Sequence, residues 1–221
     1  AKFLRALSYF KLVRVFGDVT VNLSAEPSTS DGNILVRQPA AEVYRTVIIP
    51  DLEDAIATLD VGIVDGRASK YAAQGLLGKV YLQLGDFGNA QSNLAAVVNG
   101  AAAAGISLQP NFADVFGVAN DLNPEIIFAT QISSSIVDEY GFSEFWSLSG
   151  GLDTKSLNPL DNDLVAAFAA SPGDLRRAVT IDTAVMASPK FPQTGGPDHD
   201  WIELRLADVI LMYAESLNET G

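Results

Sequence analysis

An aromatic and acidic segment in the middle of the chain carries the side chains best suited to hold a ligand. It covers residues 138–153, reads DEYGFSEFWSLSGGLD, and has neither helical nor strand periodicity. Aromatic rings stack on the apolar face of a sugar ring, and carboxylates accept hydrogen bonds from its hydroxyl groups. We therefore predict a binding site in this segment. Its residues are Trp146, Tyr140, Phe145 and Asp153. The same aromatic residues could instead plug a hydrophobic core, and the sequence leaves both interpretations open.

Close acidic pairs are what a glycoside hydrolase would need, since it places two carboxylates about 5–10 Å apart. Asp161 and Asp163 flank one residue, and Glu139 lies near Glu144. Because the chain has 27 acidic residues, such pairs arise by chance. Surface solvation or helix capping is the simpler interpretation. We predict that the protein is not an enzyme.

Two short segments resemble metal-binding patterns. The Asp161–Asp163 segment is like the start of a calcium loop, but the required glycine and closing glutamate do not follow. His199 stands between Asp198 and Asp200, which is equally typical of a polar loop that leads into a helix. We predict no metal site and no cofactor.

Composition excludes several further functions. The chain contains no cysteine, which excludes thiol catalysis and disulfides. It contains a single histidine, so a catalytic triad or a multi-histidine site would have to use that one residue. The net charge of −13 disfavours nucleic acid and anionic membrane surfaces as partners. Glycine-rich phosphate-loop patterns are missing. With 221 residues, 48% of them hydrophobic, the chain can form one sizeable domain or two small ones.

Amphipathic helices and one strand must position these residues. Helical periodicity covers the first residues, residues 40–59 with Pro50 as a kink, and residues 69–84 and 86–100, with Ser69 and Asp86 as N-caps. The segment EIIFATQI predicts a buried strand, and NDLVAAFAAS a short helix that ends before Pro172. A final helix is predicted from Asp200, which would pair with Glu203 in a capping box, while Trp201 would pack at its start. Arg67, ahead of the third helix, is predicted to serve as a cap or in an ion pair.

The third and fourth helices are joined by only a few residues and must therefore fold back on each other. The turn YLQLGDFGNA is typical of a tetratricopeptide-type helical hairpin. Gly75 and Gly78 would allow a neighbouring helix to come close. Any antiparallel pair with a Gly-Asp turn could show the same pattern.

Five segments, in order, resemble the SusD/RagB family of nutrient-binding outer-membrane lipoproteins of the Bacteroidetes. They are FLRALSYFKLVRVFGDV, VYRTVIIPDLEDAIATL, GRASKYAAQGLLGKVYLQLGDFGNA, NPEIIFATQ and WIELRLADVILMYAESLNETG. The resemblance spans nearly the whole chain and is most specific at GRASKYAAQGLLGKVYL and RLADVILMYAESLNE. It carries no binding residues across, because the matching motifs belong to the scaffold.

The resemblance implies a mostly α-helical, tetratricopeptide-like scaffold with a loop-rich insertion and few short strands. It implies scaffold helices over 1–104, a ligand-side region over 105–199 and a last scaffold helix over 200–221. It implies non-catalytic binding of a glycan or other nutrient for a SusC-like TonB-dependent transporter. The family's lipid anchor would place the protein on the cell-surface face of the outer membrane. The anchor cysteine and the helices before this start are absent, so the resemblance implies a chain truncated at both ends.

A helical-repeat adaptor that docks a protein and no small ligand is the alternative that the helices allow equally well. The aromatic segment distinguishes the two, because an exposed Trp146 favours ligand binding and a buried one favours the adaptor.

Overall fold

The computed structural model describes residues 1–27, 30, 32–63, 66–133, 160–184, 186–190 and 199–221. The chain divides into two compact units. Unit 1 consists of residues 1–104 and 206–221, and unit 2 of residues 105–205.

Unit 1 is built from helices. They are α1 (Lys2–Phe16), α2 (Ala40–Val43), α3 (Ile49–Thr58), α4 (Lys70–Gln83), α5 (Phe87–Gly100) and α8 (Leu206–Thr220). A π-helical turn over Tyr44–Ile48 joins α2 to α3, so Pro50 falls in the first turn of α3, where a proline costs no helical hydrogen bond. The strands β1 (Val19–Thr20) and β2 (Arg37–Gln38) form a small antiparallel ribbon.

The predicted boundaries of α4 and α5 are confirmed. The Ser69 hydroxyl accepts a hydrogen bond of 3.1 Å from the Ala72 amide, and Asp86 Oδ1 accepts one of 3.2 Å from the Asn89 amide. Gly85 sits between the helices at φ 73°, a backbone conformation that side chains disfavour. These short-range signals turn α5 back against α4.

The α4–α5 hairpin packs closely because Gly78 has no side chain. A Cβ atom at Gly78 would lie 2.5 Å from Cγ of Leu94, which is fully buried. The predicted close approach at Gly78 is thus confirmed.

Gly78→Ala is expected to lower the free energy of unfolding by about 1–3 kcal/mol, since the new methyl group overlaps Leu94 in a filled core. Urea denaturation measures the change. Gly88→Ala in α5 is the matched control, because no atom lies within 4 Å of its added Cβ. That control is expected to change the stability by less than about 1 kcal/mol. Equal stability of Gly78→Ala and the native chain would contradict this packing.

Unit 2 is more irregular. It holds β3 (Ile126–Thr130), α6 (Asn162–Ala169), α7 (Arg177–Thr180) and β4 (Trp201–Arg205), together with short 3-10 turns over Phe112–Val115 and Val118–Asn120. The predicted strand is confirmed as β3, which is buried along its first four residues. The predicted short helix before Pro172 is confirmed as α6, with Asp161 accepting a hydrogen bond of 2.8 Å from the Asp163 amide. A small core joins Val115, Ile126 and Ala129.

The predicted start of the last helix is wrong. Residues 201–205 form strand β4, antiparallel to β3, and the helix begins only at Leu206. Asp200 accepts a hydrogen bond of 3.0 Å from the Ile132 amide, and Glu203 accepts one of 3.1 Å from the Thr130 hydroxyl. Both predicted capping residues are therefore engaged with the β3 side of the sheet, and Trp201 stands opposite Thr130 in the ladder.

The buried face of α8 also differs from the prediction. The helical pattern of the sequence predicts an inward stripe of Leu206, Ile210, Tyr213, Ala214 and Leu217. Leu206 is buried, whereas the other four are partly or fully exposed, and the remaining buried residues of α8 are Val209, Met212 and Ser216. The apolar residues of α8 are compatible with either the predicted or the observed buried face. The contact between α8 and α5 determines which face is buried. The mostly α-helical fold class is confirmed. Within the described ranges, no helix is long and apolar enough to cross a membrane.

Candidate functional site

The four predicted site residues, Trp146, Tyr140, Phe145 and Asp153, lie outside the described residues. Their role stays a prediction. His199 is buried beside Asp200, and the described residues contain no group of three or more side chains that could hold a metal ion. Arg67 is exposed, and the described part of the chain offers it no ion pair.

A cleft in unit 2 gathers aromatic and charged side chains from distant parts of the sequence. We call it the unit 2 cleft, and its volume is about 560 Å³. Pockets of about 300–1,000 Å³ are typical of small-molecule sites. The lining residues are Phe112, Leu164, Ala167, Phe168, Ser171, Asp174, Arg176, Thr180, Lys190 and Arg205.

Backbone hydrogen bonds position the walls of the cleft. Asp182 and Ala187 exchange two of them, at 3.0 and 3.2 Å, which closes the turn ahead of Lys190. The Leu160 amide donates to the Met186 carbonyl at 2.9 Å, which ties this turn to the start of α6. Local hydrogen bonding therefore fixes both Lys190 and α6 in unit 2.

Lys190 lies against two aromatic rings. Its Nζ atom is 5.3 Å from the ring centroid of Phe112 and 5.2 Å from that of Phe116. The two rings meet edge to face, with centroids 5.1 Å apart, and Phe116 packs against the core of unit 2. A cation over a ring face is attracted by the ring quadrupole, so the aromatic pair holds the ammonium group in place.

Arg205 forms the end of β4 and is held by a buried acid. Its Nη1 donates a hydrogen bond of 2.5 Å to Glu125 Oε1, and the Glu125 side chain is only 3% exposed. Glu125 Oε2 accepts a second hydrogen bond of 2.9 Å from the Gln109 amide. The Arg205 guanidinium also lies 5.9 Å from the Phe112 centroid. A satisfied buried carboxylate thus fixes the direction of Arg205.

Asp174 and Arg176, which both line the cleft, form a local ion pair. Asp174 accepts hydrogen bonds from Nε and Nη2 of Arg176 and from its backbone amide, at 2.5 to 3.1 Å. The hydrogen bonds from the Arg176 side chain, and to a smaller extent the one from its backbone amide, lower the pKa of Asp174 to about 2. The carboxylate is therefore charged at every physiological pH and neutralises Arg176 next to it.

Lys190 differs from both arginines, because no carboxylate in the described part of the chain pairs with it. Burial lowers the pKa of Lys190, and the neighbouring guanidinium groups of Arg205 and Arg176 lower it further. The hydroxyl of Thr180 is likewise buried without a hydrogen-bond partner. The cleft therefore presents hydrogen-bond donors that no other described residue uses.

The unit 2 cleft is difficult to predict from the sequence. Phe112 and Phe116 show only a four-residue spacing, and Lys190 and Arg205 stand in segments without a motif. Only the fold brings them together, so a search for local patterns misses them.

A second cleft, of about 610 Å³, lies in unit 1 between the first turn of α1 and the end of α3. It is lined by apolar residues such as Phe3 and Leu59, by the exposed ion pair of Lys2 and Asp54, and by Arg67. Its charged groups are solvated, and it lacks the ordered aromatic and cationic set of the unit 2 cleft.

Comparison with known proteins gives a consistent result. The family model described as SusD-like, starch-binding associating with outer membrane, matches residues 1–82. SusD-like protein P2 from Formosa agariphila is 28% identical, over 99% of this chain and 51% of that protein. A SusD-like protein from Bacteroides ovatus is 27% identical, over 98% of this chain and 47% of its own length.

Solved structures share the fold over the whole chain. A putative sugar binding protein from Bacteroides vulgatus has a TM-score of 0.80 at 24% identity, covering 100% of this chain and 52% of that one. A laminarin binding SusD-like protein has a TM-score of 0.75 at 25% identity, covering 100% and 59%.

These matches show that the chain shares the mostly helical fold of SusD superfamily structures. The resemblance to SusD-like proteins that the sequence predicted is confirmed by these matches. It spans about half the length of the curated relatives it matches.

Proposed function

We propose that this chain binds a glycan at the cell surface and delivers it to a SusC-like TonB-dependent outer-membrane transporter. The observation that carries the proposal is the shared fold with a laminarin binding SusD-like protein, at 25% identity over the whole of this chain. A further structure of the same fold, at a TM-score of 0.72, was obtained with a xylogluco-oligosaccharide.

In this proposal binding takes place without cleavage and residues of unit 2 hold the glycan. The unit 2 cleft offers aromatic and hydrogen-bonding side chains, and Trp146, Tyr140, Phe145 and Asp153 add a second group of the same chemistry. Each aromatic contact contributes about 0.5–1.5 kcal/mol, so the affinity is modest and built from several contacts. In this proposal a lipid anchor holds the protein at the outer membrane.

Calorimetry and affinity electrophoresis against laminarin, xyloglucan and starch test glycan binding. We expect saturable binding to at least one of them, and Trp146→Ala is expected to raise its Kd about three- to tenfold through loss of stacking. Phe16→Ala is the matched control, because Phe16 is an exposed aromatic residue of unit 1. Binding that survives Trp146→Ala would remove that residue from the site and keep the function.

If the protein neither binds nor cleaves any of the glycans, the proposal is contradicted and a protein-docking adaptor is favoured. Delivery is tested separately, by cross-linking in outer membranes. A SusC-like transporter recovered with the protein supports it, and recovery of other partners alone contradicts it.

A further inference from the structure

We propose that the unit 2 cleft binds the anionic group of an acidic saccharide, a carboxylate or a sulfate ester carried on a sugar ring. This inference rests on the proposed function, because it names the chemical class of glycan that the protein captures.

The charge inside the cleft is opposite to that of the protein. The chain carries a net charge of −13, whereas the cleft is lined by three cations, Arg176, Lys190 and Arg205, and by one acid, Asp174. Asp174 neutralises Arg176, and Glu125 pairs with Arg205 from behind. Within the described part of the chain, Lys190 therefore supplies a positive charge without a paired carboxylate, which attracts an anion into a protein that otherwise repels one.

The unused donors of the cleft are suited to anionic oxygen atoms. An arginine has five N–H donors, and Arg205 uses one of them on Glu125 within the described residues. Among the described residues, the Lys190 ammonium faces two rings and no acid, and the Thr180 hydroxyl has no hydrogen-bond partner. A carboxylate or sulfate accepts several hydrogen bonds at once, so a single group can satisfy donors that neutral hydroxyls would satisfy only in part.

The fold gains little from keeping a charge at residue 190. Burial and two nearby guanidinium groups disfavour the protonated form of Lys190, which is the cause of its lowered pKa. A bound anion supplies the negative charge that this position lacks. Lys190 thus resembles a ligand-binding group more than a structural ion pair.

Part of the cleft lining is apolar. Phe168 and Leu164 project from α6 among the lining residues, and Leu164 is exposed to solvent. An apolar wall accepts the CH face of a sugar ring, while the cationic side accepts the anionic substituent. A free inorganic anion has no apolar ring face, so the apolar lining residues favour an acidic saccharide over such an anion.

Calorimetry with tetragalacturonate, a sulfated carrageenan oligosaccharide and laminarin tests the inference. The native chain is expected to bind at least one acidic saccharide, more weakly as salt is added. Lys190→Gln is expected to raise the Kd for that saccharide about tenfold, through loss of a charge-assisted hydrogen bond. Lys190→Arg keeps the charge and is expected to retain most of the affinity. The two acidic probes distinguish a carboxylate from a sulfate.

Lys70→Gln is the matched control, since it makes the same change in net charge in unit 1. Equal weakening by Lys190→Gln and Lys70→Gln, with both variants folded by circular dichroism, would overturn the inference. Binding of laminarin without binding of either acidic saccharide would also overturn it and leave the proposed function intact. Failure of all three saccharides and of the neutral glycans above would overturn both.

Discussion

Arg205→Met is expected to lower the free energy of unfolding by about 3–5 kcal/mol, the usual effect of removing one partner from a buried ion pair. The reason is Glu125, whose side chain is 3% exposed and has Arg205 as its cationic partner. Methionine fills the space of the arginine stem but leaves the carboxylate buried without a counter-charge. Urea denaturation followed by circular dichroism measures the change.

A second substitution separates the charge effect from a packing effect. Glu125→Gln in the Arg205→Met background removes the buried charge and keeps an acceptor for the Gln109 amide, so it is expected to recover most of the lost stability. Arg177→Met, at an exposed arginine of unit 2, is the control and should change stability by less than about 0.5 kcal/mol. A double variant no more stable than Arg205→Met alone would contradict the ion-pair explanation.

Arg5→Met is expected to cost about 3 kcal/mol of stability in unit 1. Arg5 donates hydrogen bonds of 2.6 and 2.7 Å to the two oxygens of Asp51, and the Asp51 side chain is only 6% exposed. This two-point contact joins α1 to α3. The expected loss of stability is at the lower end of the range for buried ion pairs because the Arg5 side chain is 35% exposed. Chemical denaturation measures the loss.

Arg45→Met is the contrasting variant. The Arg45–Glu42 pair has a similar N–O distance of 2.5 Å, but its side chains are 71% and 48% exposed. Solvent screens such a pair, so the expected loss is below about 1 kcal/mol. Equal losses for Arg5→Met and Arg45→Met would show that burial does not determine the strength of these contacts.

The sequence predicts the helical scaffold well because its signals are local. Ser69 and Asp86 cap helices within three residues of their own position, and Gly85 ends α4. Gly78 marks the close approach to α5 for the same reason, since a small residue on a helix face affects only the helix beside it.

The segment that follows His199 shows where local signals fail. Residues 201–205 continue the helical period of α8, and Asp200 and Glu203 have the spacing of a capping box. Pairing with β3 outweighs that preference, because an unpaired buried strand would leave its backbone groups without partners. Strand pairing depends on residues far apart in sequence.

The unit 2 cleft could not be predicted for the same reason. Phe112, Lys190 and Arg205 come from three separate segments, and none of these segments has a recognisable motif. The aromatic segment around Trp146 is a local signal, and its role remains a prediction.

Hydrogen exchange with mass spectrometry tests the central claim, that residues of unit 2 bind the saccharide. The native chain is measured alone, with saturating laminarin and, separately, with saturating tetragalacturonate. We expect slower exchange in peptides from residues 105–205, with tetragalacturonate protecting residues 112–116 and 164–176 of the cleft. Slower exchange confined to residues 1–104 and 206–221, with saccharide bound, would contradict it.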